Sequence, residues 1–279
     1  MTWMIEIKTT PAARVDVSGL MPKLSQGITP AELAAQPVWM GNEQFAAGDL
    51  FSIRSSSIGN CHSVWSGDLS RIDGIACGLL APLTILIEGN VGRRLGAGLR
   101  GAAILLRGDA DDEVGLGMQW GSIQISGNAG HRVGAAAPGE QVGNDRGIIQ
   151  VGQNCGDDLG TGMRRGAIAV GGNAGDCVGC NMQAGTIAIG GRLGNSFGAG
   201  MRRGTIISGQ APDDADVPIS FTGPIQIETT IPKMLAKSLR GNRQVLPDTF
   251  LVELMEPKIW RLRHGDRLAG ARGEFLSPE

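Results

Sequence analysis

A glycine-rich pattern recurs every 19 residues through the middle of the chain. Seven isoleucine anchors stand 19 residues apart, except for one step of 26 residues, which indicates a seven-residue insertion within residues 135–143. Glycines keep the same phase on both sides of the anchors, and this accounts for many of the 45 glycines in the sequence. Repetition of this length is typical of proteins that stack identical units. The anchors are Ile85, Ile104, Ile123, Ile149, Ile168, Ile187 and Ile206.

Each repeat is too short and too rich in glycine for a helix of ordinary length. Its opening x-Ile-x-Ile alternation is typical of a short strand with one buried face. Stacking such strands about 4.8 Å apart would bury the anchors in one continuous core. The sequence therefore predicts an all-β dominated fold, a right-handed parallel β-helix (solenoid) of 19-residue GXGXG repeats with small flanking segments.

Two further positions of the repeat hold recurring residue types. At the first, neighbouring amides could hydrogen-bond from repeat to repeat. At the second, methionine recurs as a buried row that Leu99 and Ala137 would complete. The amides are Asn90, Asn128, Asn154 and Asn173, and the methionines are Met118, Met163, Met182 and Met201.

The flanking sequences suggest three regions. Residues 1–63 form an N-terminal α+β segment, with a strand at residues 3–8 and a short helix that begins after Thr29, where Glu32 completes a capping box. Residues 64–209 form the repeat region, of which 64–80 are a degenerate leading repeat. Residues 210–279 break the pattern and are expected to cap the repeats or to dock on a partner.

Composition and charge exclude several classes of function. A net charge of −2 and a pI near 6.0 argue against a nucleic-acid-binding protein. The sequence does not show the basic start and following apolar run of a secretory signal. It also has no run that approaches the ~20 apolar residues of a membrane span. Five cysteines, an odd number at irregular spacing, do not indicate a disulfide framework. We expect a cytoplasmic protein that binds neither nucleic acid nor membrane.

The repeat resembles a known family. The unit Gly-x-Gly-x-x-Gly-x-x-Val-Gly-x-Gly-Met-x-x-Gly, seen best at residues 171–185 and 190–204, is similar to the GXGXG domain. That domain closes the large chain of glutamate synthase and forms most of the C-type subunit in the formylmethanofuran dehydrogenase family. The closing Gly-Asp…Gly-Glu segment after residue 264 makes the chain more similar to this C-type subunit, and in particular to the one in the bacterial formyltransferase/hydrolase complex.

The resemblance implies a structural role in one-carbon oxidation. In the bacterial complex, a formyltransferase subunit loads a methanofuran-type carrier from formyl-tetrahydromethanopterin, and an amidohydrolase-like subunit releases formate from it. A protein similar to the B-type subunit of formylmethanofuran dehydrogenase is a further expected partner. The chain itself would bind no cofactor and carry no catalytic residue. The alternative is the C-type subunit of the archaeal tungsten or molybdenum formylmethanofuran dehydrogenase.

Other residues that could carry chemistry have simpler interpretations. The three histidines lack metal-ligand spacing, and Cys177-Val-Gly-Cys180 lacks the second CxxC of a zinc site. The Gly-x-Gly runs are followed by strand rather than by the helix of a phosphate loop. The acidic turn at residues 109–113 is expected to be solvated. We therefore predict neither a catalytic nor a metal site in this chain.

Paired arginines form the candidate binding site. Arg164-Arg165 and Arg202-Arg203 occupy the same position two repeats apart, and Arg100 lies in the matching turn of the first repeat. Their guanidinium groups could bind the polyglutamyl chain of the carrier, because arginine matches carboxylates well. The alternative is a solvated edge.

A different class of function is a β-helical enzyme acting on a polysaccharide. Such enzymes need clustered carboxylates or bases, together with aromatic sugar platforms. The repeats offer only Trp65, Trp120 and Phe197 as aromatic residues, which disfavours this alternative.

Overall fold

A computed structural model describes residues 2–56, 62–80, 82–240, 245–256, 258–270 and 272–279. Within these residues, one sheet of 13 strands and a second sheet of four strands make up most of the structure. The strands are β1 (Thr2–Ile7), β2 (Val15–Asp16), β3 (Pro37–Met40), β4 (Glu43–Ala46), β5 (Phe51–Ser56), β6 (Ser63–Ser66), β7 (Ile72–Asp73), β8 (Thr84–Glu88), β9 (Arg100–Arg107), β10 (Trp120–Ile125), β11 (Ile148–Val151), β12 (Ala167–Val170), β13 (Thr186–Ile189), β14 (Arg203–Ser208), β15 (Ile225–Glu228), β16 (Ile259–Gly265) and β17 (Arg272–Pro278). The helices are α1 (Pro30–Ala34), α2 (Ala47–Leu50), α3 (Ile231–Leu239) and α4 (Asp248–Met255), with 3-10 turns at Ser18–Ser25 and Arg267–Ala269. None of the helices in these ranges has the length and apolar character needed to cross a bilayer.

The predicted fold class, a right-handed parallel β-helix (solenoid), is wrong. The structure has a mixed sheet of 13 strands in the order β15-β16-β17-β14-β13-β12-β11-β10-β9-β8-β6-β1-β5, and a small sheet in the order β4-β3-β2-β7. The central strands are parallel, but β5 at one end and β15 and β16 at the other pair antiparallel with their neighbours. The repeat could not reveal these strands, because they lie outside it.

Neighbouring repeats pair in parallel register. Ile85 lies opposite Ile104, as expected from the 19-residue spacing. The 26-residue step does not shift the register between β10 and β11, since Ile123 lies opposite Ile149. The spacing therefore determines which residues share a row across the sheet. A second parallel row of isolated bridges joins Leu69, Val91, Ala110, Ala129, Cys155 and Ala174.

The parallel strands bury side chains on both faces. One face carries the anchors, such as Ile187, and belongs to the main hydrophobic core. The other face carries small residues such as Ala188, which let α3 and α4 approach with Phe250 and its neighbours. Gln150 on this face donates from Nε2 to the carbonyl oxygen of Leu239 at 3.0 Å, which fixes the end of α3. The C-terminal helices are thus part of the sheet's packing.

The N-terminal segment contains the predicted strand and the predicted capping box. Residues 2–7 form β1, and α1 begins after Thr29. Thr29 Oγ1 accepts the backbone N–H of Glu32 at 3.2 Å, and Glu32 Oε2 accepts that of Thr29 at 2.7 Å. Arg14 ties this segment to the repeats through ion pairs with Asp73, at 2.8 Å, and with Asp111.

Side-chain acceptors link successive repeats beside the row of isolated bridges. In one row, His131 donates its backbone N–H to Asp112 Oδ1, and His131 Nδ1 accepts the N–H of Asp157, both at 2.9 Å. Asp157 Oδ1 in turn accepts the N–H of Asp176 at 2.8 Å. In the predicted asparagine row, Asn154 Nδ2 donates to Asn128 Oδ1 at 3.1 Å. The polar rows therefore satisfy backbone donors of the next repeat.

Replacing His131 should test this role. His131→Ala removes the acceptor of the Asp157 N–H, and we expect a loss of about 0.5–1.5 kcal/mol in the free energy of unfolding, because a net hydrogen bond is worth about that much. His131→Asn supplies the side-chain oxygen that other repeats use, and it should stay within about 0.5 kcal/mol of the wild type. Urea denaturation of both variants measures the difference. Equal losses for the two would show that the imidazole acts by packing instead.

Candidate functional site

The predicted arginines lie where the chain enters the parallel strands. Arg165 stands two residues before β12, and Arg203 is the first residue of β14. Both are exposed, as are Arg164 and Arg202. Because the repeats pair in register, Arg164 and Arg202 share one row, and Arg165 and Arg203 share the next.

Two arginines that the sequence analysis missed extend the second row. The backbone N–H of Arg146 donates to the carbonyl oxygen of Arg165 at 3.2 Å. Arg272 lies directly opposite Arg203 in the parallel pair of β14 and β17. With neighbouring strands about 4.8 Å apart, the row from Arg146 to Arg272 covers four strand spacings, about 19 Å. The arginine strip is defined here as Arg146, Arg164, Arg165, Arg202, Arg203 and Arg272.

A sequence signal existed for one of the two missed residues. Arg146 directly precedes Gly147, in phase with Arg165-Gly166 and Arg203-Gly204. Arg272-Gly273 is the same dipeptide, but it lies outside the repeats, so no periodicity points to it. Only the strand pairing brings Arg272 into the row.

Arg100 lies apart from the strip. Arg100 in β9 lies opposite Trp120 in β10. In the register of β10 with β11, Trp120 in turn takes the position next to Arg146. Trp120 is 47% exposed, and its ring covers Gly101, where an added Cβ would come within 2.6 Å of the ring. An exposed aromatic side chain therefore separates Arg100 from the strip. The remaining strip positions of these repeats are occupied by Gln119, Asp145, Gln183 and Ala184.

A buried asparagine shapes the turn that presents Arg146. Asn144, rather than the predicted Ala137, fills the methionine row, because the insertion lies before it. Its Oδ1 accepts the N–H of Gly147, and its Nδ2 donates to the carbonyl of the same residue, both at 2.9 Å. This closed turn holds Arg146 at a φ of +77° and directs the chain back into β11.

The glycines after Arg165, Arg203 and Arg272 let neighbouring backbones approach. Gly166 has a φ of +93°, and an added Cβ would lie 2.3 Å from the carbonyl oxygen of Gly147. A side chain is therefore impossible there without moving the backbone. Arg165 stands at the last position before this close approach, and its side chain is exposed to solvent.

The strip carries more positive charge than the protein neutralises. Arg164 Nη1 lies 3.6 Å from Asp145 Oδ2. Across the described ranges, no carboxylate oxygen lies within 4.0 Å of the charged nitrogens of the other five. Like charges opposite each other on neighbouring strands repel. A bound chain of carboxylates would relieve this repulsion and could accept bidentate hydrogen bonds.

The cysteines lack the properties of a reactive pair. Burial, with a smaller contribution from the Cys177 thiol, raises the pKa of Cys180 to about 12. The Cys180 thiol is therefore protonated at neutral pH and a weak nucleophile. Cys155 lies elsewhere, in the row of isolated bridges, where burial strongly raises its pKa. Cys61 falls outside the described residues.

Histidines and carboxylates have structural partners. His62 Nδ1 accepts the N–H of Thr84 at 2.9 Å, as His131 does for Asp157. In the acidic turn, burial raises the pKa of Asp111, but hydrogen bonding and the charge of Arg14 outweigh it and hold that pKa below its ordinary value. In the part of the chain that the structure covers, no three His, Cys, Asp or Glu residues converge on a possible metal position.

Comparison with known proteins points to one assembly. No protein-family model matches the chain, and no curated protein matches it. Among solved structures, it is similar to a chain in the X-ray crystal structure of the formyltransferase/hydrolase complex (FhcABCD) from Methylorubrum extorquens in complex with methylofuran. The TM-score is 0.85 and the sequence identity 28%, and the alignment covers 99% of each chain. Over its whole length, therefore, the chain is similar to a subunit of that formyltransferase/hydrolase complex.

Proposed function

We propose that this chain is a structural subunit, without catalytic residues of its own, of a formyltransferase/hydrolase complex in one-carbon oxidation. The likeness to a chain of such a complex carries the proposal, because it extends over 99% of both chains. A shared repeat alone would align only the central strands. The alignment also includes the N-terminal segment and the C-terminal strands and helices.

The chemistry would lie on the partner subunits. A formyltransferase subunit would pass the formyl group of formyl-tetrahydromethanopterin to a methanofuran-type carrier, and an amidohydrolase-like subunit would hydrolyse the formylated carrier to formate. A protein similar to the B-type subunit of formylmethanofuran dehydrogenase completes the proposed assembly. In this role the chain corresponds to the C-type subunit, and its wide sheet would hold the partners at a constant separation.

The arginine strip would hold the glutamate chain of the carrier. An extended chain advances about 3.3 Å per residue, so the 19 Å row would contact about six residues. Arginine is suited to this task because its planar guanidinium can bind a carboxylate through two parallel hydrogen bonds. The exposure of the strip keeps each contact weak, which suits a carrier that must move between partners.

Co-assembly tests the proposed function. Expressed with the formyltransferase and hydrolase subunits of its source, the chain should elute with them in constant stoichiometry. The assembled complex should convert formyl-tetrahydromethanopterin to formate. The chain purified alone should neither transfer nor hydrolyse a formyl group, because no three potential metal ligands converge among the residues that the structure describes. Turnover by the isolated chain, or failure to co-elute, would contradict the proposal.

A further inference from the structure

A half-exposed tryptophan lies at one end of the longer arginine row. Trp120 is the first residue of β10, and its side chain is 47% exposed. In the register of β10 with β11 it takes the position next to Arg146. One strand spacing, about 4.8 Å, therefore separates its backbone from that of the first arginine of the row.

One face of the indole rests on the backbone of β9. A Cβ added to Gly101 would lie 2.6 Å from Cη2 of Trp120, 2.9 Å from Cζ3 and 3.0 Å from Cζ2. A point beyond the edge of the ring and in its plane would lie much farther from the last two atoms than from the first. The similar distances therefore place Gly101 under the face of the ring, which lies flat on the strand.

A bulge in β9 provides the surface for this contact. The register between β9 and β10 shifts after Trp120, where Gly101 and Ala102 both face the single residue Gly121. Gly101 has a φ of +105°, which residues with a side chain rarely adopt. Bulges of this kind redirect side chains and are frequent next to functional sites. Here the bulge and the glycine together hold the indole from below.

The outer face of the indole is open. In the described ranges, neither an aromatic ring nor a cationic side chain stacks on Trp120. An aromatic side chain with one free face can bind a planar ring by stacking. Because the ring already rests on β9, it loses little freedom when a ligand stacks on it, which favours binding.

Two arginines border this surface. Arg100 directly precedes Gly101 in β9, and Arg146 lies on the side of β11. Both are exposed, and among the residues that the structure describes no carboxylate oxygen lies within 4.0 Å of their charged nitrogens. The ring platform is defined as Trp120, Gly101, Arg100 and Arg146.

The acidic residues nearest in the chain are engaged elsewhere. Asp145 precedes an arginine of the platform, but its Oδ2 lies 3.6 Å from Nη1 of Arg164. Glu140 belongs to the insertion, where the carbonyl of Gln141 accepts Nε2 of Gln183 at 3.0 Å, three strands beyond β10. On the side of β8, residues 79–83 include no acidic residue. An anion with a planar ring therefore matches the platform.

We propose that the ring platform binds an aromatic ring of the carrier, and that the glutamate chain runs from Arg146 along the row towards Arg272. The inference rests on the proposed function for the identity of the carrier. It adds where a ring lies and in which direction the chain extends. The class of ligand is a planar aromatic ring joined to a chain of carboxylates. The ring stacks on Trp120, and Arg146 pairs with the first carboxylate.

Two probes test the platform on the isolated full chain. One is a benzoyl group joined to three glutamates, and the other is an acetyl group joined to the same three. In calorimetry at low salt, the wild type should bind the benzoyl probe about tenfold more tightly, because stacking on an aromatic side chain contributes on that order. Trp120→Ala should bind both probes equally, and Trp120→Phe should keep most of the preference.

The second exposed indole provides the matched control. Trp39 is 50% exposed, but it lies opposite Asp16 and Gln44 in the small sheet rather than between arginines. Trp39→Ala should therefore keep the full preference for the benzoyl probe. A preference that this control abolishes as well would show that the ring binds indoles without regard to the platform, and would overturn the proposal.

Single arginine variants test the direction of the chain. Three glutamates extend about 10 Å, which is enough to pass Arg146 but not to reach Arg272, about 24 Å from Trp120. Arg146→Gln should weaken the benzoyl probe about two- to fivefold, as expected for one exposed ion pair. Arg272→Gln should leave its binding unchanged. Equal weakening by both variants would show that the chain does not start at the platform.

The outcomes separate this inference from the proposed function. If the wild type does not assemble with its partners, the proposed function is wrong, and the probes still decide whether the platform binds rings. If the wild type binds both probes equally, the platform is wrong while the function stands. Trp120→Ala should keep the thermal unfolding midpoint and join the complex normally. A folded Trp120→Ala chain that fails to assemble would assign the indole to a partner contact and overturn the platform.

Discussion

Four arginines form the longer row of the strip, which runs from Arg146 to Arg272. Replacing all four by glutamine should raise the apparent Michaelis constant for a polyglutamyl carrier about ten- to hundredfold in the assembled complex. Each exposed ion pair contributes only about 0.2–1 kcal/mol, so the effect becomes clear when several are removed together. The turnover number should change little, because the row is proposed to hold the chain of the carrier and not its reacting group. Raising the salt concentration should weaken capture by the wild type, because exposed charges are screened within about 8–10 Å. The variant combines Arg146→Gln, Arg165→Gln, Arg203→Gln and Arg272→Gln.

The carrier itself and a second set of arginines provide the controls. A carrier without its glutamate chain should show the same Michaelis constant with wild type and variant. The same change of charge elsewhere on the surface should have no effect on either carrier. An equal effect on both carriers, or none on either, would mean that the strip is a solvated edge. The control variant combines Arg54→Gln, Arg107→Gln, Arg192→Gln and Arg240→Gln, all at exposed positions.

Phe197→Ala should destabilise the protein by about 3–5 kcal/mol, a large share of the 5–15 kcal/mol that holds an average domain folded. Phe197 is 1% exposed, and the centroid of its ring lies 4.6 Å from the ring centroid of Phe275 in β17. It also contacts Phe221, so one side chain joins the last repeat to the C-terminal strands. Its loss leaves a cavity at this junction. Chemical denaturation should show a lower midpoint.

A leucine at the same position distinguishes cavity formation from a change in the backbone. Leu95 and Leu159 occupy the corresponding position in other repeats, so Phe197→Leu is compatible with the local turn. We expect it to cost about 1–1.5 kcal/mol, because it keeps most of the buried volume. If the alanine and leucine variants lost the same stability, the aromatic contacts would not be what joins the two regions.

The strand rows could be predicted because their cause is visible in the sequence. A constant spacing places Ile104 opposite Ile85, and local chemistry starts α1 at Thr29. The insertion marks the limit of this method. Spacing alone cannot show on which side of the row position the extra residues lie, so it places Ala137 in the row that Asn144 fills.

The overall sheet and one arginine of the longer row, Arg272, could not be predicted in the same way. Arg203 and Arg272 meet because β17 pairs with β14, and nothing periodic links residues so far apart in the chain. The antiparallel strands at both ends depend equally on such long-range pairing, and they make the sheet mixed. For the site, the sequence analysis predicted Arg100, Arg164, Arg165, Arg202 and Arg203, and it missed Arg146 and Arg272.

The strands at the two edges of the large sheet also bear on self-association. Parallel repeats with a common spacing present, at their last strand, an edge that could accept the first strand of another copy. Open edges of this kind promote fibre growth. Here β16 runs antiparallel to the repeats and separates them from β15, and at the opposite edge β5 runs antiparallel to β1. Neither edge strand continues the register of the repeats, and we therefore expect the parallel addition of another copy to be disfavoured.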